Sequence, residues 1–160
     1  MPLYRRAREA DYEAIADALQ TWWTLEGLDT EAAARERAAL VPRLWLQHFA
    51  STSLVAEVHG RLVGFLIGFL SQDHPEEGYV HFVGVAPGSR RSGIARELYR
   101  RFFDACRAAS RRRIRCVTSP GNTTSLDFHH ALGFRMEGTK PKPDYDGPGV
   151  ARVALVCDLD

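Results

Sequence analysis

The sequence predicts an α+β domain built on a mixed β-sheet, and three observations support this prediction. The chain has 160 residues, of which 45% are hydrophobic and 26% charged, values typical of one globular domain with a sizeable core. The dipeptide His59-Gly60 joins two strand-like runs as a hairpin, which makes those strands antiparallel. Residues 79–107 read instead as a strand, a tight loop and a long helix. We therefore expect a single domain spanning residues 1–160.

The first third of the chain predicts one strand and two helices. Residues 3–7 alternate weakly, as an edge strand does, and Asp11 then stands where a helix N-cap is expected. The helix after it ends before Gly27, which interrupts the pattern, and carries apolar residues at helical spacing: Ile15, Ala18, Leu19 and Trp22. A second helix is predicted over residues 30–49, with Pro42 kinking or dividing it. Core packing is expected for at least two of the three tryptophans, although they could also line a substrate cleft: Trp22, Trp23 and Trp45.

The hairpin consists of strands predicted at residues 53–59 and 61–70. The second run is apolar throughout, which places it in the centre of a sheet. Gly64 and Gly68 interrupt this run, and glycine inside a strand indicates a bulge or a close backbone approach.

The central stretch, residues 79–107, predicts an anion site. A β-type run breaks at Pro87-Gly88, and a helix then follows from residue 94. A helix that begins on a small-residue loop directs its unpaired N–H groups and the positive end of its dipole at whatever precedes it. Gly93 leaves the main chain accessible and Arg90 and Arg91 add charge, so a pyrophosphate fits better than a carboxylate. The loop matches neither the Walker A pattern nor G-x-G-x-x-G, which disfavours nucleotide hydrolysis and dinucleotide redox chemistry.

The last third predicts three strands and a short helix. Strands are expected at residues 114–118, 134–137 and 150–157, and a helix at 122–131 that Gly133 stops. The Pro- and Gly-rich segment 139–149 reads as a loop.

Two spaced motifs identify the chain as a member of the GNAT superfamily of N-acetyltransferases. Val85-Ala86-Pro87 followed by Arg90-x-x-Gly93-x-Ala95 resembles the family's acetyl-coenzyme A loop. About 30 residues downstream, Asn122-x-x-Ser125-x-x-Phe128-His129-x-x-x-Gly133-Phe134 resembles its second signature. The resemblance implies a central, mixed but mostly antiparallel, twisted sheet of about six or seven strands flanked by about four helices. Two strands of this sheet would splay apart at the cofactor site.

The resemblance also implies acetyl-CoA as the cofactor. The N–H groups of Val83 and Val85 would bind the pantetheine arm, and an N–H near Val83 would face the oxyanion. The loop amides would bind the pyrophosphate, and the second motif would support the cofactor. The cofactor-binding residues implied are Val83, Val85, Arg90, Arg91, Ser92, Gly93, Ile94, Ala95, Asn122, Ser125 and Phe128.

Two histidines are the candidate catalytic residues. The family usually has a Tyr at the position of His129, where it donates a proton to the departing sulfur. An imidazole with its ordinary pKa of ~6.5 is partly protonated near neutral pH and could do this, or His129 could only pack while water or another side chain is the acid. His81 is the candidate base, because residues 81, 83 and 85 alternate onto one strand face. Tyr79 and Glu77 are alternatives, as is a water chain.

The sequence leaves the amine acceptor open. Trp22 and Tyr145 are candidate substrate contacts, and Tyr145 and Asp146 lie in the Pro/Gly loop that could close over an acceptor, although Asp146-Gly147 also suits a plain turn. Small amines, amino acids, aminoglycosides and peptide amines all fit. We expect an N-acetyltransferase that works by direct attack in a ternary complex. The alternative is an acyl-CoA sensor of the same fold without turnover.

Charge and cysteine content limit which binding partners and which cellular compartment we expect. Net charge is +1, yet ten arginines against two acids give residues 88–115 a net +8 and leave −7 elsewhere, so one basic face surrounds the proposed loop. We expect neither nucleic-acid nor membrane binding, and the resemblance allows a homodimer. The three cysteines lack metal-ligand spacing, so we expect buried thiols, no metal and a reducing cytoplasm. No apolar run approaches the ~20 residues of a membrane span.

Overall fold

The computed structural model describes residues 1–23 and 30–160. The strands are β1 (Leu3–Arg6), β2 (Leu54–Val58), β3 (Arg61–Leu70), β4 (Glu77–Val85), β5 (Arg113–Thr118), β6 (Arg135–Met136) and β7 (Val153–Asp158). The α-helices are α1 (Tyr12–Thr21), α2 (Glu31–Ala39), α3 (Leu44–His48), α4 (Ile94–Ala108) and α5 (Thr123–Ala131). Gly27, where the sequence predicts a helix break, lies outside the described residues.

The seven strands form one mixed sheet in the order β1-β2-β3-β4-β5-β7-β6. Adjacent strands pair antiparallel between β1 and β2, β2 and β3, β5 and β7, and β6 and β7. The parallel ladder between β4 and β5 joins Glu77–Tyr79 to Arg113–Arg115. The predicted fold class, a mostly antiparallel mixed sheet flanked by helices, is confirmed, and β1 is an edge strand as expected.

Residues group into two compact units, the first comprising Met1–Phe69 and Phe82–Asp104 and the second Leu70–His81 and Ala105–Asp160. The core of the first unit packs the apolar face of α1 against β3, as Ile15, Leu19, Phe65 and Ile67 are fully buried there. The His59-Gly60 turn has positive φ at both residues, which is the geometry of a tight two-residue hairpin.

The sequence predicts a role for both Pro42 and Asp11 in the helices of the first unit, and only Pro42 has the predicted one. Pro42 divides the predicted second helix, since α2 ends at Ala39 and α3 begins at Leu44. Asp11 precedes α1 as predicted, but its side chain makes no cap bond to that helix. It accepts instead from the N–H of Arg8 at 2.7 Å and from the guanidinium of Arg5 at 2.8 Å, and these donors occupy the carboxylate.

The predicted irregularity at Gly64 is confirmed. The register between β2 and β3 shifts between Ala56 and Glu57, opposite Gly64. A Cβ atom on Gly64 would lie 2.7 Å from the Cγ2 atom of Ile94, the first residue of α4. Glycine is therefore required for the close approach of β3 to the start of this helix.

The second unit has its own buried set, centred on β5, β7 and the end of α5. The buried residues include Ile114, Cys116, Phe134, Val153, Leu155 and Val156. Cys106, Cys116 and Cys157 are free and buried, as predicted. No helix in the described part of the chain is long and apolar enough to cross a membrane.

The last two strands are shorter than predicted, for reasons of main-chain pairing. The Phe134 N–H caps α5 by donating to His129 O at 3.0 Å, so β6 begins only at Arg135. Val150 closes a turn, since its N–H donates to Gly147 O at 3.0 Å and its carbonyl accepts from Asp146 N at 3.2 Å. The predicted strand start at Val150 is therefore wrong, and β7 begins at Val153.

Candidate functional site

Strand β4 carries the predicted pantetheine and base residues. Its odd-numbered residues from 77 to 85 are half-buried, whereas Gly78, Val80 and Gly84 are buried. Because side chains alternate along a strand, His81, Val83 and Val85 project to one side. Phe82 projects to the other, where its ring stacks on Phe65 with centroids 5.9 Å apart.

The loop after β4 presents main-chain amides at the start of α4. A single 3₁₀ turn, Pro87–Ser89, leads into it, and the Ser92 hydroxyl donates to the Ser89 carbonyl. At the start of α4, the N–H of Glu97 donates the first helical hydrogen bond to the carbonyl of Gly93, at 3.0 Å. The N–H groups of residues 94–96 therefore precede the helical ladder and point toward the loop. The Ile94 side chain is buried and anchors this first turn.

The shape of the loop suits a diphosphate. Gly93 has φ +85 and a Cβ built there would meet nothing within 4 Å, so an anion can approach its main chain. Arg91 has φ +60, a conformation that non-glycine residues seldom adopt, and its side chain is exposed. Ser92 is also exposed and Ala95 is half-buried. The loop combines aligned amides, open space and a neighbouring cation.

The second motif builds a hydrogen-bonded cluster in the second unit. The Asn122 side chain caps α5 by accepting from the N–H of Ser125 at 3.1 Å. The Thr118 hydroxyl, at the end of β5, donates to the Ser125 hydroxyl at 3.1 Å. His129 lies one turn along α5, with its Nδ1 atom 3.2 Å from the same hydroxyl and 2.7 Å from the Ser125 carbonyl oxygen.

His129 is buried and favours its neutral form. Its side chain is 5% exposed and meets the rings of Phe128 and Phe134 edge-on, at 5.4 and 5.2 Å. Burial lowers the pKa of His129, and the hydrogen bond to the Ser125 main chain opposes this only in part. The expectation of an ordinary pKa near 6.5 is therefore wrong. His130 is exposed on the helix surface.

The carbonyl contact also fixes the tautomer of His129. A carbonyl oxygen can only accept, so Nδ1 carries the hydrogen and the neutral ring has none on Nε2. Only the imidazolium form of His129 could donate a proton from Nε2.

Comparison with known proteins decides the family. The acetyltransferase (GNAT) family model matches residues 12–134, which is most of the chain. The chain belongs to the GNAT family. It is 34% identical over 107 residues, 67% of its length, to an L-2,4-diaminobutyric acid acetyltransferase of Nocardia farcinica, of which the match covers 55%. The chain thus spans about half the length of this curated relative.

Solved GNAT structures share the fold over nearly the whole chain. A GNAT-family protein from Desulfovibrio desulfuricans matches with a TM-score of 0.80 at 18% identity, covering 100% of both chains. The diaminobutyrate acetyltransferase of Paenibacillus lautus, in complex with L-2,4-diaminobutyric acid and coenzyme A, matches with a TM-score of 0.72 at 23% identity, covering 98% and 95%.

In this GNAT protein the predicted substrate residues have different surroundings. Trp22 is 8% exposed and packs on Phe65 with ring centroids 5.6 Å apart, so it supplies core area, and its contact with a substrate stays a prediction. Tyr145 is 44% exposed and hydrogen-bonded to Tyr79. Asp146 forms a salt bridge of 2.9 Å with Arg152, which makes it part of an ordered turn.

Sequence reasoning missed the surroundings of Arg90. Its guanidinium donates to the Val85 carbonyl at 3.2 Å and to the Trp22 carbonyl at 3.4 Å, 68 positions away in the chain. No local pattern signals so distant a contact. Among the described residues, no group of three or more His, Cys, Asp or Glu side chains could hold a metal ion.

Proposed function

We propose that this protein is an N-acetyltransferase that moves the acetyl group of acetyl-CoA to a primary amine by direct attack in a ternary complex. The observation that carries the proposal is the loop at the start of α4. There, in a member of the GNAT family, the amides of residues 94–96, the open left-handed Gly93 and the exposed Arg91 would together bind a diphosphate. Because the family match runs through both compact units, we also propose that residues 1–160 form one domain.

The chain offers residues for each part of coenzyme A. The loop from Arg91 to Ala95 would bind the pyrophosphate, and the N–H groups of Val83 and Val85 would align the pantetheine arm. Asn122 and Ser125 would act by holding α5 in place, since both side chains are engaged in its cap and cluster, and Phe128 is half-buried beside them. When bound, the coenzyme supplies an acetyl thioester, whose carbonyl carbon is the electrophile.

His81 is the proposed base. It projects from β4 on the side of Val83 and Val85, so its imidazole can take the proton of the acceptor amine directly or through water. Tyr79 is a poor alternative, because burial raises the pKa of its hydroxyl far above the ordinary value, with a further contribution from Tyr145. Glu77 is engaged with Arg115 at 2.9 Å.

His129 remains the proposed acid, with a condition that follows from its environment. It must be imidazolium to donate from Nε2, and burial disfavours that form. Catalysis by His129 would therefore decline as pH rises through its lowered pKa. If His129→Gln keeps the wild-type kcat, water or another group is the acid and His129 only packs.

The acceptor we propose is a small amine of the diamino-acid class. The relative of Nocardia farcinica is named for L-2,4-diaminobutyric acid, and three further curated relatives carry the same name. We propose no nucleic-acid partner, because Arg100 and Arg101 on the basic helix are paired with Glu97 at 2.7 Å. The three buried thiols fit a reducing cytoplasm, and the family resemblance allows a homodimer.

Release of coenzyme A thiol tests the activity. The protein is incubated with acetyl-CoA and a panel that contains L-2,4-diaminobutyric acid, shorter and longer diamino acids, aminoglycosides and peptides with free N-termini. We expect turnover with at least one diamino acid. Tight binding of acetyl-CoA without thiol release from any amine would overturn the enzyme in favour of a sensor.

Substitution of Gly93 tests the loop. A Glu at this position adds a negative charge beside the pyrophosphate and a side chain at φ +85, so Gly93→Glu should weaken acetyl-CoA binding roughly a hundredfold in titration calorimetry. Gly88→Glu is the matched control, because Gly88 lies in the same loop with open space around it and no positive φ. Equal affinity in the wild type and Gly93→Glu would refute the loop assignment.

A further inference from the structure

The two adjacent arginines of the loop have different environments. Arg90 is half-buried and its guanidinium turns back onto its own chain, donating from Nε to the Val85 carbonyl at 3.2 Å and from Nη2 to the Trp22 carbonyl at 3.4 Å. Arg91 is exposed, in a left-handed conformation. Because a guanidinium donates from a rigid planar fork, the carbonyl contacts of Arg90 fix its direction.

The Trp22 carbonyl belongs to the C-terminal end of α1, which has no glycine cap. The last carbonyls of a helix lack partners within the helix and carry the negative end of its dipole. Here arginines from other elements supply donors: Arg37 of α2 donates to the Leu19 carbonyl at 3.1 Å, and Arg90 donates to Trp22. The loop and α2 thus hold the same helix end.

The indole of Trp23 lies near both of these guanidiniums. The Cζ atom of Arg37 is 4.6 Å from its ring centroid and that of Arg90 is 5.9 Å away. The ring also meets Phe82 edge-on at 5.8 Å and would lie 3.2 Å from a Cβ atom on Gly84. Trp23 is therefore fixed against β4 and reports on the position of Arg90.

We propose that Arg90 is a positioning residue, which locks the phosphate-binding loop to the end of α1 through the Trp22 carbonyl and beside the Trp23 ring, and that Arg91 alone supplies side-chain charge to the coenzyme diphosphate. This inference rests on the proposed function for its ligand. It assigns unlike roles to two neighbours that the sequence analysis expects to add charge together.

Paired alanine variants separate these roles. Arg91→Ala should weaken coenzyme A binding about tenfold and flatten its salt dependence, because a charged hydrogen-bond donor is lost. Arg90→Ala should weaken the affinity less than Arg91→Ala does and should leave its salt dependence unchanged, since a positioning residue brings no charge to the ligand. Equal losses of affinity and of salt dependence in the two variants would show that Arg90 binds phosphate, which overturns the proposal.

Fluorescence of Trp23 supplies a readout that loss of charge alone would not move. Its share of the emission is obtained by subtracting the spectrum of a Trp23→Phe partner in each background. In Arg90→Ala the Trp23 emission should shift to longer wavelength and become more open to acrylamide quenching. Arg91→Ala should keep the wild-type emission. An unchanged Trp23 spectrum in Arg90→Ala would overturn the proposal.

Arg90→Lys guards against a simple charge effect, and the far-ultraviolet circular dichroism of each variant guards against one that fails to fold. Lysine keeps the charge but lacks the planar fork, so it should not restore the wild-type Trp23 spectrum. Full restoration by lysine would contradict a positioning role. If the wild type binds no coenzyme A, the proposed function fails, whereas the coenzyme-free spectra still decide whether Arg90 holds Trp23.

Discussion

At the scale of single residues, His129 shows how burial changes what a motif position can do. The sequence places an imidazole where the family usually has a Tyr. The structure buries that imidazole against two phenyl rings and bonds its Nδ1–H to a main-chain oxygen. The neutral form is thereby stabilised over the imidazolium. This preference must appear in stability as well as in catalysis.

We expect folding stability to fall as the solution is acidified from pH 7.5 to pH 5.5. The unfolded chain has a histidine pKa of ~6.5, whereas that of folded His129 is lower, so the unfolded state takes up the proton first. The contribution of His129 to the free energy of unfolding is complete above the pKa of the unfolded state. It is lost as pH falls toward the lower pKa of the folded state, by about 1.4 kcal/mol for each pH unit between the two pKa values. Urea unfolding followed by circular dichroism at several pH values measures this loss.

His129→Gln should remove most of this pH dependence, since the amide does not titrate. His130→Gln is the matched control, because it removes an exposed imidazole one residue further along the same helix. A slope that survives in His129→Gln but disappears in His130→Gln would assign the effect to the wrong histidine.

At the scale of secondary-structure elements, the contact between β3 and α4 positions the candidate phosphate loop. Ile94 is the first residue of α4, is buried, and occupies the space that a side chain on Gly64 would need. The glycine in β3 therefore determines how closely the amide-bearing end of the helix approaches the sheet.

Gly64→Ala should destabilise the fold by about 1–3 kcal/mol, the usual cost of overpacking, because its Cβ would lie 2.7 Å from Ile94 Cγ2. The same change should weaken coenzyme A binding, since the displaced Ile94 begins the amide-bearing turn. Gly88→Ala is the control, as nothing lies within 4 Å of its added Cβ. Denaturant midpoints and calorimetric affinities for the two variants decide the matter, and equal values would contradict the role of Gly64.

The same elements show what the sequence can predict. Strand β3 and helix α4 have long apolar patterns, so their type and most of their bounds follow from residue order alone. Bounds set by individual hydrogen bonds do not. Val150 looks like a strand residue, yet its main-chain groups close a turn with Gly147 and Asp146.

For the candidate site, the spacing of residues predicted the loop and the second motif but not the direction of its side chains. The separation between Arg90 and Gly93 is visible in the sequence, and the open left-handed Gly93 agrees with it. The partners of Arg90 come from the end of α1 and from β4, and tertiary packing alone brings them there. The low pKa of His129 likewise follows from burial, which no motif specifies.

At the scale of the whole molecule, the charge distribution is less extreme than the sequence suggests. Arg100 donates to Glu97 and Asp104 at 2.7 Å each, and Arg101 also donates to Glu97. The hydrogen bonds from Arg100 and Arg101 hold the pKa of Glu97 at about 2, so it stays ionised. Such surface pairs add little stability, but they reduce the free positive charge of α4.

Two secondary-structure elements are shared by the two compact units, which bears on the prediction that residues 1–160 form one domain. Two compact units are distinguishable, yet β4 and α4 each contribute residues to both. An element shared in this way should couple the two units, because it cannot unfold in one without losing pairing or packing in the other. We therefore expect cooperative, two-state unfolding of residues 1–160.

The tryptophans offer a direct test of that expectation, since residues 22, 23 and 45 all belong to the first unit. Ile114→Val removes one buried methyl group from the second unit and should cost about 1 kcal/mol. In a single cooperative domain, the urea midpoint detected by tryptophan fluorescence must then fall, although the substitution is in the other unit. Ile67→Val is the matched change within the first unit and lowers that midpoint in either case. The contrary result is a tryptophan midpoint that falls in Ile67→Val but not in Ile114→Val, together with an earlier transition of Ile114→Val in circular dichroism. The two units would then unfold separately, and the prediction of one domain would be wrong.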